Sequence, residues 1–243
     1  MELLPLTRSS PPTLPPGRTA HNPRPERLRA PRREELDGAD LRWLKKGGPT
    51  KADLKIVDLG QGRLVVKDFS AKAAWVRWIG RLQIARECRA YRWLGPMAGI
   101  PRFAGRVDAH ALAMEWIDGE LLAFLPERRL DGVAMRGKLR EVVDRLHDAG
   151  LVHLDLRGKD NVVLAPDGGV YVLDLAAAVW FRPGSWPHRL CFRWFVRTDE
   201  AAMLKWKRIL SSDPYTDEEQ AFLRRYRFWR ALWIFNPKRP PGE

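Results

Sequence analysis

The sequence predicts an α+β fold in two unequal lobes, a five-stranded antiparallel lobe with one helical segment and then a reduced, mainly helical lobe. Three observations predict it. Short runs rich in Val, Ile, Leu and Trp, parted by glycine turns, recur before residue 118; apolar residues between the third and fourth of them step by three and four; and the second half is dominated by that helical spacing. The 243 residues suffice for one sizeable core or two small lobes, and a hydrophobic content of 45% is ordinary for a globular chain, which excludes wholesale disorder.

Residues 1–38 are crowded with Pro and Arg and read as a disordered basic tail. Met1 to Leu6 is too short an apolar run for a secretory signal, and stretches such as 170–181 fall short of the roughly 20 residues of a membrane-spanning helix. Cys88 and Cys191 give neither a disulfide scaffold nor a zinc pattern and suit a reducing, cytoplasmic setting.

Residues 39–118 form the first lobe. Strands are expected at 41–44, 53–59 and 64–67, joined by the Gly47-Gly48-Pro49-Thr50 turn and by Gly60-Gln61-Gly62. Trp75, Trp78, Ile79, Leu82 and Ala85 then mark residues 70–94 as one long helix or two short ones parted at Gly80, and two further strands follow at 101–107 and 111–117. Residues 119–236 form the second lobe. Its first helix, at 135–148, sets Leu139, Val142 and Leu146 on one face and stops at Gly150. A later helix opens at the capping box Thr216-Asp-Glu-Glu219 and repeats Phe222, Tyr226, Trp229 and Trp233, a stripe that reads as core. Residues 237–243 read as a flexible terminus.

The segments that carry chemistry are His153-Leu154-Asp155-Leu156 with Asn161, and Asp174-Leu175-Ala176. They resemble the H-R-D-L…N catalytic loop and the metal-binding D-F-G segment of protein kinases. The resemblance implies Asp155 as the base facing an acceptor hydroxyl, Asn161 and Asp174 as Mg2+ ligands, and Arg157 as the cation reaching the transferring phosphate, since positioning and electrostatics supply most of phosphoryl-transfer catalysis. Upstream residues extend it. Val65-Val66-Lys67 resembles the third-strand V-A-I-K motif, and Glu87, twenty residues later, resembles the helix glutamate that pairs with its lysine to orient ATP phosphates. Met114, Glu115 and Trp116 are similar to the gatekeeper and hinge, whose backbone would hold adenine. His153 reads as structural.

This chain departs from that pattern in three ways. Asp155 to Asn161 is six steps against an expected five, so Asp160 stands as an alternative metal ligand, although Asn161 lies thirteen residues before Asp174, the interval usual in the family. No G-x-G-x-x-G exists, which leaves Gly47 and Gly48 as the phosphate-covering turn. No A-P-E follows Asp174, and Leu154 replaces the Arg that reads a phosphorylated activation loop, so no such switch is expected. Small kinase-like proteins with these features include RIO-type kinases and the bacterial lipopolysaccharide core heptose and Kdo kinases. The resemblance implies a minimal bilobal protein-kinase-like fold and ATP-dependent transfer, with Mg2+, to a hydroxyl of a protein Ser/Thr or of a glycolipid sugar. A nucleotide-binding pseudokinase and a basic adaptor docking on membrane or RNA are the alternatives.

Lys plus Arg number 43 against 30 Asp plus Glu, a net charge of +13, which suits polyanions generally. Arginines interleave with aromatics around Trp186, Phe192 and Trp194 and again around Phe222 and Tyr226, a pattern suited to peripheral contact with an anionic membrane. No sequence-reading module is visible, which argues against nucleic acid.

Overall fold

The computed structural model describes residues 28–60, 62–125 and 131–231, the last three by backbone alone. Strands β1 (Arg42–Lys45), β2 (Asp53–Asp58), β3 (Arg63–Asp68), β4 (Phe103–Arg106) and β5 (Ala111–Glu115) form one antiparallel sheet in the order β1-β2-β3-β5-β4. The five expected strands are thus present, and the two-lobed α+β class holds. β3 is central and apolar on both faces: Leu64 and Val66 point one way, Val65 and Lys67 the other.

Each face of the sheet has its own cover. Leu64 and Val66 meet Val57, Ala111, Ala113 and Leu36, the last from helix α1 (Arg33–Asp37). This is a departure from expectation, because residues 28–38 were assigned to the disordered tail. Composition concealed two specific anchors: Leu36 is buried, and Arg33 donates to Asp68 (2.7 Å) and Asp108. Residues 1–27 of that tail, and the expected flexible end at 237–243, lie outside the described residues.

The opposite face takes helix α2 (Ala74–Leu94), which is continuous through Gly80. Glycine is required there by packing, since a Cβ would sit 2.5 Å from the Phe69 ring. Val76, Ile84, Cys88 and Tyr91 form its buried stripe, while Trp75, Trp78, Ile79 and Leu82 point outward. Burial pushes the Cys88 thiol up, as for a small hydrophobe.

The second lobe is built on helices α3 (Gly132–Asp148) and α4 (Arg193–Ser211), with α5 (Asp217–Ala231) packed on α4. Asp131 caps α3, accepting from the Ala134 amide, and only glycine fits at 132, because a Cβ there would strike the Leu210 carbonyl. Between α3 and α4 lie short strands β7 (Leu151–Val152), β8 (Val162–Leu164), β9 (Val170–Val172) and β10 (Val179–Trp180). β8 and β9 pair with each other, and β7 pairs with β10. β6 (Glu120–Leu121) leaves the first lobe at Gly119 and pairs with β8. One hydrophobic cluster runs from Val65 and Leu112 through Met114 to Leu139, Val172 and Trp206, so the lobes share a core.

The capping box expected at α5 is formed, with Thr216 N–H donating to Glu219 and Glu219 N–H to Thr216 Oγ1. Its aromatic stripe is not core among the described residues. Phe222 and Tyr226 stack on one another half-buried, and Phe228 is exposed. Trp233 lies outside them.

Candidate active site

Alternation along β3 aims Lys67 at α2, and the helix answers with Glu87 from its buried face. Lys67 Nζ lies 2.8 Å from Glu87 Oε2 and 2.9 Å from Asp174 Oδ1, so three residues far apart in sequence meet at one ammonium. Burial works against the Lys67 charge, but the two carboxylates outweigh it and raise its pKa above the ordinary lysine value. Burial likewise works against the Asp174 charge, but Lys67 outweighs it and holds that carboxyl below the usual range. Arg86, beside Glu87, donates to the carbonyls of Ala177 and Ala178, tying α2 to the segment that carries Asp174.

Asp174 adopts a left-handed conformation, φ 64°, and its side chain accepts from the Ala176 amide. Such a backbone costs a non-glycine residue on the order of 1 kcal/mol and persists where neighbours over-determine it. In this conformation Asp174 reaches Lys67. Its carboxylate also lies at the edge of the cleft, with 44% of the side chain exposed.

Within itself the 153–161 loop is fixed by hydrogen bonds of the His153 and Asn161 side chains with its own backbone and that of Leu173. His153 is fully buried; its Nδ1 accepts from the Asp155 amide at 3.2 Å and its Nε2 lies 2.9 Å from the Leu173 carbonyl, which assigns the Nε2–H tautomer. That agrees with the structural role expected for it. Asn161 donates from Nδ2 to the Asp155 carbonyl at 2.8 Å, and its own carbonyl accepts from Leu173, so the ends of β8 and β9 bring Asn161 beside Asp174.

The extra residue is absorbed by two successive β-turns, Gly158 N–H to Asp155 O and Asn161 N–H to Gly158 O. Gly158 allows the fold-back, because a Cβ there would lie 2.6 Å from Asn161 Nδ2. Asp160, the alternative ligand, points outward at 59% exposure and pairs with Lys45 of β1 across the lobes at 3.2 Å. Asn161 is buried against Asp155.

Sequence reading missed the brace beneath this loop. Asp199 of α4 is fully buried and accepts from the amides of His153 (2.8 Å) and Leu154 (2.9 Å), with His147 Nε2 at 3.1 Å. Leu154 is the second strained non-glycine residue of the site, φ 64°, and Asp199 holds it. About two turns further along α4, Trp206 Nε1 donates to the Leu156 carbonyl and Lys205 Nζ to the Arg157 carbonyl at 2.6 Å. One signal for Asp199 was present: it stands on the apolar stripe with Ala202, Met203 and Trp206, where a carboxylate must be serving something. Burial, then Arg157 and Lys159, lower the Lys205 pKa, whereas Asp155 raises it, so several cations gather around the base of the loop.

The remaining expected residues are placed as follows. Met114 is buried under Tyr91, whose hydroxyl donates to its Sδ. The amides of Glu115 and Trp116 donate to the carbonyls of Arg102 and Arg63, so their backbone could meet a nucleobase only through the carbonyls. In the β1–β2 turn, Gly47 N–H is committed to Asp53 Oδ1, which Lys72 also holds, so what this turn can offer a phosphate begins at Gly48. A Cβ on Gly47 would clash with the Ala52 carbonyl.

No family model matches the sequence. Over 140 residues the chain is 32% identical to the "Probable bifunctional tRNA threonylcarbamoyladenosine biosynthesis protein" of Methanoculleus marisnigri (strain ATCC 35101 / DSM 1498 / JR1), an alignment that covers 55% of this chain and 24% of that protein. The chain thus spans about a quarter of the length of that relative.

Proposed function

We propose that the protein is an ATP-dependent phosphotransferase of the protein-kinase-like class, acting on a hydroxyl of a protein Ser/Thr or of a sugar in an envelope glycolipid. The observation that carries this reading is the meeting of Lys67, Glu87 and Asp174 next to a loop in which Asn161 grips Asp155. Lys67 would hold the α and β phosphates, with Glu87 keeping its ammonium in place. Asp155 would accept the acceptor hydroxyl's proton as its oxygen bonds to the γ phosphorus and the bond from that phosphorus to the bridging oxygen of ADP breaks. Arg157 would offset charge on the transferring group.

Asn161 and Asp174 suit Mg2+: a carboxylate held ionised and exposed to the cleft beside an amide oxygen is a hard, two-oxygen donor set, to be completed by phosphate oxygens and water. Bound there, Mg2+ would neutralise β- and γ-phosphate charge. Among the described residues no helix is long and apolar enough to cross a membrane.

The relative's name favours a second setting, in which the same phosphotransfer or nucleotide binding serves tRNA modification. Transfer of the γ-phosphoryl group of ATP to protein or glycolipid, dependent on Mg2+ and lost in Asp155→Ala, tests the first reading. A chain that binds ATP and transfers nothing to any hydroxyl is a pseudokinase.

A further inference from the structure

The helix that supplies Glu87 has a second face that no described residue covers. Trp75, Trp78, Ile79 and Leu82 fall at i, i+3, i+4 and i+7, so they share one side of α2, and they are 60%, 64%, 40% and 57% exposed. The core is already served by the opposite stripe of Val76, Ile84, Cys88 and Tyr91. Single exposed apolar residues need no explanation, but four large ones on one helix face form a patch of the kind that marks interaction sites.

Charge identifies the occupant. Arg81, Arg89 and Arg92 are exposed on α2, Arg86 is engaged with the Ala177 and Ala178 carbonyls, and the one acidic residue of the helix, Glu87, is buried on Lys67. The surface therefore calls for something both apolar and negative. The chain's own residues 1–27 are a poor match, because they carry four arginines against two glutamates, and a second copy would bring the same arginines. A lone helix is also a convex ridge, which a protein partner could meet only with an acidic-rimmed groove. An anionic bilayer accepts a ridge without one: indole rings settle at the headgroup boundary, and arginine stems lie along the acyl region while their guanidinium groups reach phosphate. The same composition recurs where Trp186 and Leu190, 75% and 71% exposed, stand beside Arg189 and Arg193.

We infer that the outward face of α2 docks this protein on an anionic membrane surface, with Trp75 and Trp78 seated among the headgroups and Arg81 and Arg89 on lipid phosphate. The helix lies on the membrane and presents its other face, with Glu87, to the cleft.

Vesicle co-sedimentation of the full chain tests this without reference to phosphotransfer, so failure here leaves the proposed function standing and failure of transfer leaves this standing. Binding is expected to vesicles of phosphatidylcholine mixed with phosphatidylglycerol, to fall with added salt, and to be much weaker on phosphatidylcholine alone. Trp75→Ser with Trp78→Ser is expected to weaken it by about tenfold or more, since two interfacial anchors are removed. Should that variant fail to fold, Arg81→Gln with Arg89→Gln carries the test and is expected to weaken binding to the anionic vesicles selectively. Wild-type chain that ignores anionic vesicles, or variants that bind as well as wild type, would overturn the inference. So would a wild-type chain that binds polyglutamate, or self-associates through Trp75 and Trp78, in place of vesicles.

Discussion

The two halves of the site are held by different forces. Above the cleft, Lys67, Glu87 and Asp174 are fixed by charge: one ammonium between two carboxylates, with Lys67 and Glu87 out of water and Asp174 at the edge of the cleft. Below it, the Asp155 loop is fixed by hydrogen bonds between side chains and backbone: His153 Nδ1 and the Asp199 carboxylate accept from loop amides, and Asn161, Trp206 and Lys205 donate to loop carbonyls. A charge cluster is strong and loosely directional, which would suit the phosphate-holding role proposed for Lys67. Backbone hydrogen bonds are directional, which would suit the proton-accepting role proposed for Asp155. The strained backbones at Leu154 and Asp174 mark where each half aims its key residue.

The difference can be broken from above or below. The largest effect is expected for Lys67→Met, which leaves Glu87 fully buried without its cation. Such a loss typically costs about 3 kcal/mol or more, read as a lower urea midpoint, and nucleotide binding should fall with it. Asp199→Ala removes the acceptor from two backbone amides and should cost about 2 kcal/mol. It should also diminish phosphotransfer far more than nucleotide binding, because the loop below loosens while the cluster above stays. If Asp199→Ala weakened nucleotide binding as much as Lys67→Met does, the halves would not be separate.

A smaller effect lies outside the cleft. Burial works against the Asp68 charge, but hydrogen bonds from Arg33 and Ser70 outweigh it and hold the carboxyl below its ordinary value. A depressed folded pKa means a contribution fully present above the unfolded value, about 3.9, and lost as pH falls through the folded one. Arg33→Ala should therefore lower the melting temperature at neutral pH by the equivalent of about 1 kcal/mol, with the gap to wild type closing as pH falls below about 4. A gap independent of pH would mean that α1 is held by Leu36 alone.

The upper half was legible because its residues sit on strong periodic elements: β3 alternates, α2 repeats, and Lys67 and Glu87 are placed by those periods. The loop motif was legible, but its support was not, because Asp199 acts on amides more than forty positions away and an aspartate in a helix has no signature beyond its place on an apolar stripe. Periodicity also failed to say which face of α2 is inside. Both faces carry large apolar residues, so Trp75, Trp78 and Ile79 announced the helix while the sheet took Val76, Ile84 and Tyr91. Composition hid α1, since one buried leucine and one doubly paired arginine in a Pro/Arg-rich stretch are tertiary facts.

The central claim is that Asp155 receives the acceptor's proton in a site whose nucleotide is held by other residues. It is tested most directly by measuring ATP affinity and Mg2+-dependent phosphoryl transfer together on wild type and Asp155→Ala. The expected result is ATP affinity within a few-fold of wild type and transfer reduced by about a hundredfold or more, as removal of a general base gives. Transfer that survives Asp155→Ala at wild-type rate would contradict it.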